Sequence, residues 1–285
     1  MVWLPGHTKS SGICSIAVLC LLAVLPSVQA MSVYNVFAVA QGDEKGSCDD
    51  VSDLDDIFQE TLDMSYAAFD KIDKMIGKQS SLTTRRSFYA LFGINVSDYH
   101  KGVAKLPKQA RNIITAVREA TDGAYWDPNA KDYVVDPESA KEQQDPCDNA
   151  TGFAAQNSIV LCPSVFKSFR RNLMDVKNDQ SSISQGEALY ATYGSVPGIF
   201  LHELTHLLNP DLVIDQPGYD NEGNMLPPSE KSEKSYGFNR CTNLAFAPEG
   251  PSLAATNADT YHVFATMMYL DEWDWASGVS EPFRR

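Results

Sequence analysis

Two histidines four residues apart bracket a glutamate in the segment His202-Glu203-Leu204-Thr205-His206. On a helix this spacing sets both imidazoles on one face, one turn apart. Two nitrogens from one rigid element can then grip a single tetrahedral ion, with zinc the natural occupant. Glu203 projects from the adjoining position and can reach a metal-bound water without being a ligand itself. Zinc lowers the pKa of such a water towards about 7, and a carboxylate can take its proton during attack on a carbonyl. The pattern is specific: chance alone would produce it on the order of once in a few hundred chains. Metal binding alone does not call for Glu203, so its presence favours catalysis.

A third protein ligand is needed. A third histidine six residues after His206, preceded by a glycine three residues after it, is excluded, because those positions hold Leu212 and Asn209. His100 and His262 remain, but downstream carboxylates are the commoner choice. Asp211, Asp215, Asp220, Glu222, Glu230, Glu233 and Asp259 all qualify, and spacing alone does not choose among them.

The elements that must position these residues are legible in part. Ile199, Phe200, Leu201, Leu204, Leu207 and Leu208 mark a buried helix from about Gly198 to Leu208, which Asn209-Pro210 ends. A second helix begins at Asn257, a good N-cap, and runs to about Trp273 with Tyr261, Phe264, Ala265 and Met268 as its apolar stripe. Between them Gln216 to Ser235 is rich in proline, glycine, serine and acids, and reads as a surface loop. Upstream, Leu54, Phe58, Leu62, Phe69, Ile72 and Ile76 predict a long amphipathic helix stopped at Gly77. Further helices are expected over Arg86 to Phe92, ended by Gly93, and after Pro107 through Val117. Tyr133-Val134-Val135 and Ser158-Ile159-Val160-Leu161 are the best strands, and Val165, Phe166, Phe169 and Leu173 suggest a short helix. The class is α+β, mostly helical with a small sheet.

Three segments follow from composition: residues 1–30 as a signal peptide, 31–50 as a polar N-terminal arm, and 51–285 as one domain. Lys9 precedes an apolar run from Ile13 to Leu25, too short to span a bilayer comfortably, and Val28-Gln29-Ala30 offers a cleavage site. Ala38-Val39-Ala40 offers a second. The mature chain is expected to be secreted, extracellular and monomeric. A formal charge of -14 argues against nucleic acid and anionic membrane as partners. Cys14 and Cys20 leave with the signal. Cys48, Cys147, Cys162 and Cys241 remain, an even number suited to an oxidising compartment. Four cysteines allow three pairings; Cys147 with Cys162 would staple a short excursion, and Cys48 with Cys241 would tie the N-terminus to the active-site half. Asn95-Val96-Ser97 and Asn149-Ala150-Thr151 are glycosylation acceptors.

The chain also resembles the aspzincin zinc metallopeptidases, the deuterolysin and fungal lysine-specific metallo-endopeptidase family. The resemblance rests on Leu201-His202-Glu203-Leu204-Thr205-His206-Leu207, Tyr236-Gly237-Phe238, Cys241-Thr242-Asn243-Leu244-Ala245 and the stretch Asn257 to Ala265. Gly152-Phe153-Ala154 through Cys162-Pro163 matches more weakly. The resemblance implies a zincin-like fold, one zinc ion and hydrolysis of polypeptide substrates. It implies that the third ligand lies three residues before the Tyr-Gly pair, which here is Glu233, and that Tyr236 stabilises the oxyanion. Lysine-specific members carry an acidic pair that receives the substrate lysine; the corresponding residues here are Asp259 and His262. The competing expectation is a catalytically inactive zinc-binding or host-interaction protein on the same scaffold.

Overall fold

A computed structural model describes residues 32–37, 39, 48, 51–77, 79–96, 147, 150–155, 158–208, 213–227 and 234–283. The signal segment, the helix expected after Pro107, the strand at Tyr133-Val134-Val135, Asn149 and Glu233 lie outside these residues. The described chain is mostly helical, with one two-stranded antiparallel sheet.

Chain order is α1 (Val33–Val36), α2 (Leu54–Ile76), α3 (Leu82–Phe92), β1 (Gly152–Ala155), β2 (Ser158–Leu161), α4 (Val165–Ser168), α5 (Met174–Asn178), α6 (Leu189–Tyr193), α7 (Val196–Leu208), α8 (Gly237–Phe246), α9 (Gly250–Ala254) and α10 (Ala258–Tyr269). The long amphipathic helix is α2, and Gly77 caps it. The helix expected over 86–92 is α3, which starts earlier because the Ser81 hydroxyl accepts from Thr84 N. Gly93 ends it in the left-handed conformation (φ 65°), where a Cβ would come 2.3 Å from the Ala245 carbonyl oxygen.

The core forms two apolar clusters. One gathers Ile72 and Met75 of α2 with Phe88, Leu91 and Phe92 of α3 and Phe264 and Met268 of α10. The other gathers Ile57, Phe58 and Leu62 of α2 with Ile159 of β2 and Val196, Ile199, Phe200, Leu204 and Leu207 of α7. Leu201 of α7 belongs to the first cluster. Helix α7 is apolar on more than one side and runs between the two clusters for that reason. It packs on α2, α10 and the β1–β2 hairpin. Thr61 of α2 donates to the Pro197 carbonyl of α7 at 3.1 Å, which fixes the start of the helix.

The N-terminal arm is not wholly polar. Val33, Val36 and Phe37 are buried in the second cluster, and the Phe37 ring lies 5.8 Å from Phe58 and 6.0 Å from Phe200. Their spacing of three and one is a helical signal that the polar composition of the wider segment hides. Ser32 and the Val33 amide both donate to Asp55 and anchor α1 on the first turn of α2.

The strand at 158–161 forms as expected and pairs with β1 in the register Gly152↔Leu161. Cys147 and Cys162 are joined, with Cα atoms 5.3 Å apart, at the base of this hairpin. The pairing of Cys48 with Cys241 does not form. Cys48 packs against the second cluster, whereas Cys241 is buried in the first, its thiol directed at the Ser235 carbonyl 3.2 Å away. Among the described residues no helix is long and apolar enough to cross a membrane.

Candidate metal centre

Helix α7 carries the five-residue motif, and its spacing does what helical geometry requires. The Nε2 atoms of His202 and His206 face each other at 3.2 Å. The Oδ1 of Asp215 lies 3.2 Å from each of them. Three donor atoms thus form a near-equilateral triangle. A tetrahedral ion with ligand distances of about 2.0–2.1 Å needs donors about 3.3–3.4 Å apart, so the set fits zinc.

Each imidazole is oriented from behind. His206 donates from Nδ1 to the Val213 carbonyl at 3.0 Å; a carbonyl only accepts, so Nε2 presents its lone pair to the triangle. His202 donates from Nδ1 to Asp259 Oδ1 at 3.2 Å. This carboxylate–histidine pairing fixes ring orientation and raises ligand basicity. Burial opposes a charge on His202, yet Asp215 and Asp259 push its pKa up to about 10. Burial likewise opposes ionisation of Asp215 and Asp259, but the imidazoles beside them hold both carboxyls well below the usual range. The centre therefore favours positive charge at the Nε2 face, as proton or as metal cation.

The loop that delivers Asp215 closes on itself. Ser235 N donates to the Gln216 carbonyl at 2.8 Å, and Pro217 bridges Lys234. Asn257 ties both strands together: its Oδ1 accepts from Gln216 N and its Nδ2 donates to the Ser235 carbonyl, each at 3.0 Å. Residues 215 and 236 thereby meet, and the Tyr236 hydroxyl donates to Asp215 Oδ2 at 2.8 Å. Tyr236 is 44% exposed, and its ring lies 5.7 Å from that of His202. Burial and the neighbouring Asp215 raise its pKa, so the phenol keeps its proton.

Glu203 is buried beside the histidines, with a carboxylate oxygen within 4.8 Å of their donor nitrogens. The Ala154 amide of β1 donates to it, and Gly152 of the same strand leaves the space it needs: a Cβ there would lie 3.2 Å from Oε1. Burial raises the Glu203 pKa.

Several expectations change. Glu233 lies outside the described residues, and the carboxylate that meets both imidazoles is Asp215, one of the acids that spacing left open. Asp215 and Tyr236, 21 positions apart in sequence, are adjacent in space because Gln216 and Ser235 pair. Asp220 turns away and caps its own loop, accepting from the Glu222 and Asn224 amides. Asp259 and His262 do not line a surface that a substrate side chain reaches. They are 2% and 1% exposed and sit behind His202. Asp259 Oδ1 accepts from both imidazoles and its Oδ2 from the Gly237 amide, leaving no oxygen for a substrate ammonium. Asn95 is exposed just beyond α3. The residues that sequence reasoning missed are Val213, Asn257 and the β1 backbone; only Asn257 carried a signal, as an N-cap.

Comparison with known proteins finds no family model that matches the chain and no curated protein significantly similar to it.

Proposed function

We propose that this chain is an exported, zincin-like, zinc-dependent endopeptidase of the aspzincin kind, with His202, His206 and Asp215 as the metal ligands. The observation that carries the reading is the 3.2 Å triangle of two Nε2 atoms and one carboxylate oxygen, with Glu203 beside it. A zinc ion held there supplies a Lewis acid that polarises the scissile carbonyl and acidifies a water molecule. Glu203 takes the proton from that water as its oxygen adds to the carbonyl carbon. The same carboxyl delivers the proton to the amine nitrogen as the C–N bond breaks. Tyr236 donates its hydroxyl hydrogen to the developing oxyanion once it turns from Asp215. The Cys147–Cys162 disulfide supports export to an oxidising compartment.

Polypeptides are the substrate class, and Asp259, with both oxygens engaged inward, offers no acceptor to a substrate lysine. The Glu203→Gln variant tests the catalytic part of the reading. It should retain zinc while hydrolysis of casein falls about a thousandfold. Undiminished hydrolysis in that variant removes the peptidase reading. Zinc retained by a wild type that cleaves nothing favours the inactive metal-binding alternative.

A further inference from the structure

We propose that His262 is a positioning residue for the metal centre, acting on His202 through Asp259. The inference deepens the zinc reading and rests on it. His262 is buried on α10 and donates from Nδ1 to Asp259 Oδ1 at 3.2 Å. The same oxygen receives His202 Nδ1 at 3.2 Å. One carboxylate oxygen therefore sits between two imidazoles, one facing the metal and one facing the core. The other oxygen takes the Gly237 amide. Without His262, Oδ2 would keep the Gly237 amide and the Cys241 thiol, but Oδ1 would be held by the His202 imidazole alone. With His262, Oδ1 is held from both sides, and its angle to His202 is set.

The second observation is Gly198. It lies on α7, one turn before His202, where a glycine destabilises a helix relative to alanine. A Cβ at this position would come 2.4 Å from His262 Nε2. The missing side chain is the space that the His262 ring occupies. Tyr190 closes the other side, its ring 6.0 Å from that of His262. The metal helix thus gives up a side chain to admit a residue that never faces the metal. A histidine placed only to fill the core would not need its Nδ1 on the carboxylate that orients a ligand.

The test compares the full mature chain with its His262→Phe, His262→Asn and Gly198→Ala variants. Zinc affinity is read by chelator competition. The state of His202 is read from its Nδ1–H signal in long-range proton–nitrogen spectra. His262→Phe should weaken zinc about 10- to 100-fold. His262→Asn, whose amide nitrogen stands where Nδ1 stood, should restore most of the affinity. Gly198→Ala should weaken zinc although alanine favours the helix; a purely structural role for His262 predicts unchanged zinc affinity in a variant that folds. If His262→Phe does not fold, Gly198→Ala decides alone. Unchanged affinity in His262→Phe or Gly198→Ala, or equal weakness of the Phe and Asn variants, overturns the proposal. A wild type that binds no zinc removes the zinc reading instead. The Nδ1–H signal then decides: lost in His262→Phe but kept in His262→Asn supports the dyad, and kept in both overturns it.

Discussion

The helix wall of the centre, His202 with Glu203 and His206, takes its geometry from one turn of α7. The loop wall, Asp215 with Tyr236, takes its geometry from pairing between segments far apart in the chain. α7 is held by apolar burial on several sides, between two clusters and under the β1–β2 hairpin. The loop wall is held by polar groups: the Gln216–Ser235 hydrogen bond, the Pro217–Lys234 bridge and one buried amide, Asn257. Apolar contact is spread over many atoms and fails gradually. A hydrogen-bonded clasp is concentrated in a few groups, and loss of one partner leaves the others buried and unpaired. The two walls should therefore respond differently to single substitutions.

The largest expected effect falls on the body of the fold, away from both walls. Glu60 of α2 is 1% exposed and accepts the Leu173 amide at 2.9 and 3.0 Å. Burial raises its pKa from 4.5 to about 7, against the pull of the Leu173 hydrogen bond. Below pH 4.5 both folded and unfolded chains carry the proton, and the fold keeps its full stability. As pH rises from 4.5 through 7, the unfolded chain releases the proton first, and stability falls by about 3 kcal/mol in all. Glu60→Gln keeps the acceptor for Leu173 and removes the charge. Urea titrations should find it more stable than wild type at pH 8 by about that amount, with the gain vanishing at pH 4, and zinc affinity unchanged. An equal gain at both pH values would contradict the assignment.

A smaller effect is expected when the loop clasp is cut. Asn257→Ala leaves Gln216 N without its acceptor and the Ser235 carbonyl with only the Cys241 thiol, at a cost of about 1–3 kcal/mol. The loss should fall on the loop wall. Hydrogen exchange should quicken at residues 213–216 and 234–237 while α7 stays protected, and zinc affinity should drop. Faster exchange in α7 to the same degree would mean that the two walls are one unit.

The same division explains what could be read from the amino acids. His202, Glu203 and His206 were legible because their geometry is local: a helix sets residues four apart on one face, whatever surrounds it. Cys147 and Cys162 were legible for a similar reason, being close in sequence and flanking a strand. Asp215 stood among the open candidates, but its approach to the two imidazoles depends on closure at Gln216 and Ser235, which no spacing encodes. Glu233, the acid to which the Tyr236-Gly237 anchor points, lies outside the described residues, while the Tyr236 hydroxyl meets Asp215, a contact between positions far apart in sequence. Asp259 and His262 were correctly set on one helix face. That this face turns inward follows from packing of α10 against α7, and from a glycine at 198 whose purpose appears only once His262 is beside it.

The central claim is that Asp215 completes a three-ligand zinc site with His202 and His206. It is tested most directly by metal content and zinc affinity of the purified mature chain, measured for wild type, Asp215→Ala and Glu233→Gln. One zinc per chain is expected in wild type and in Glu233→Gln, with zinc lost in Asp215→Ala while its helical content is retained. Zinc kept by Asp215→Ala, or lost instead by Glu233→Gln, would contradict the account.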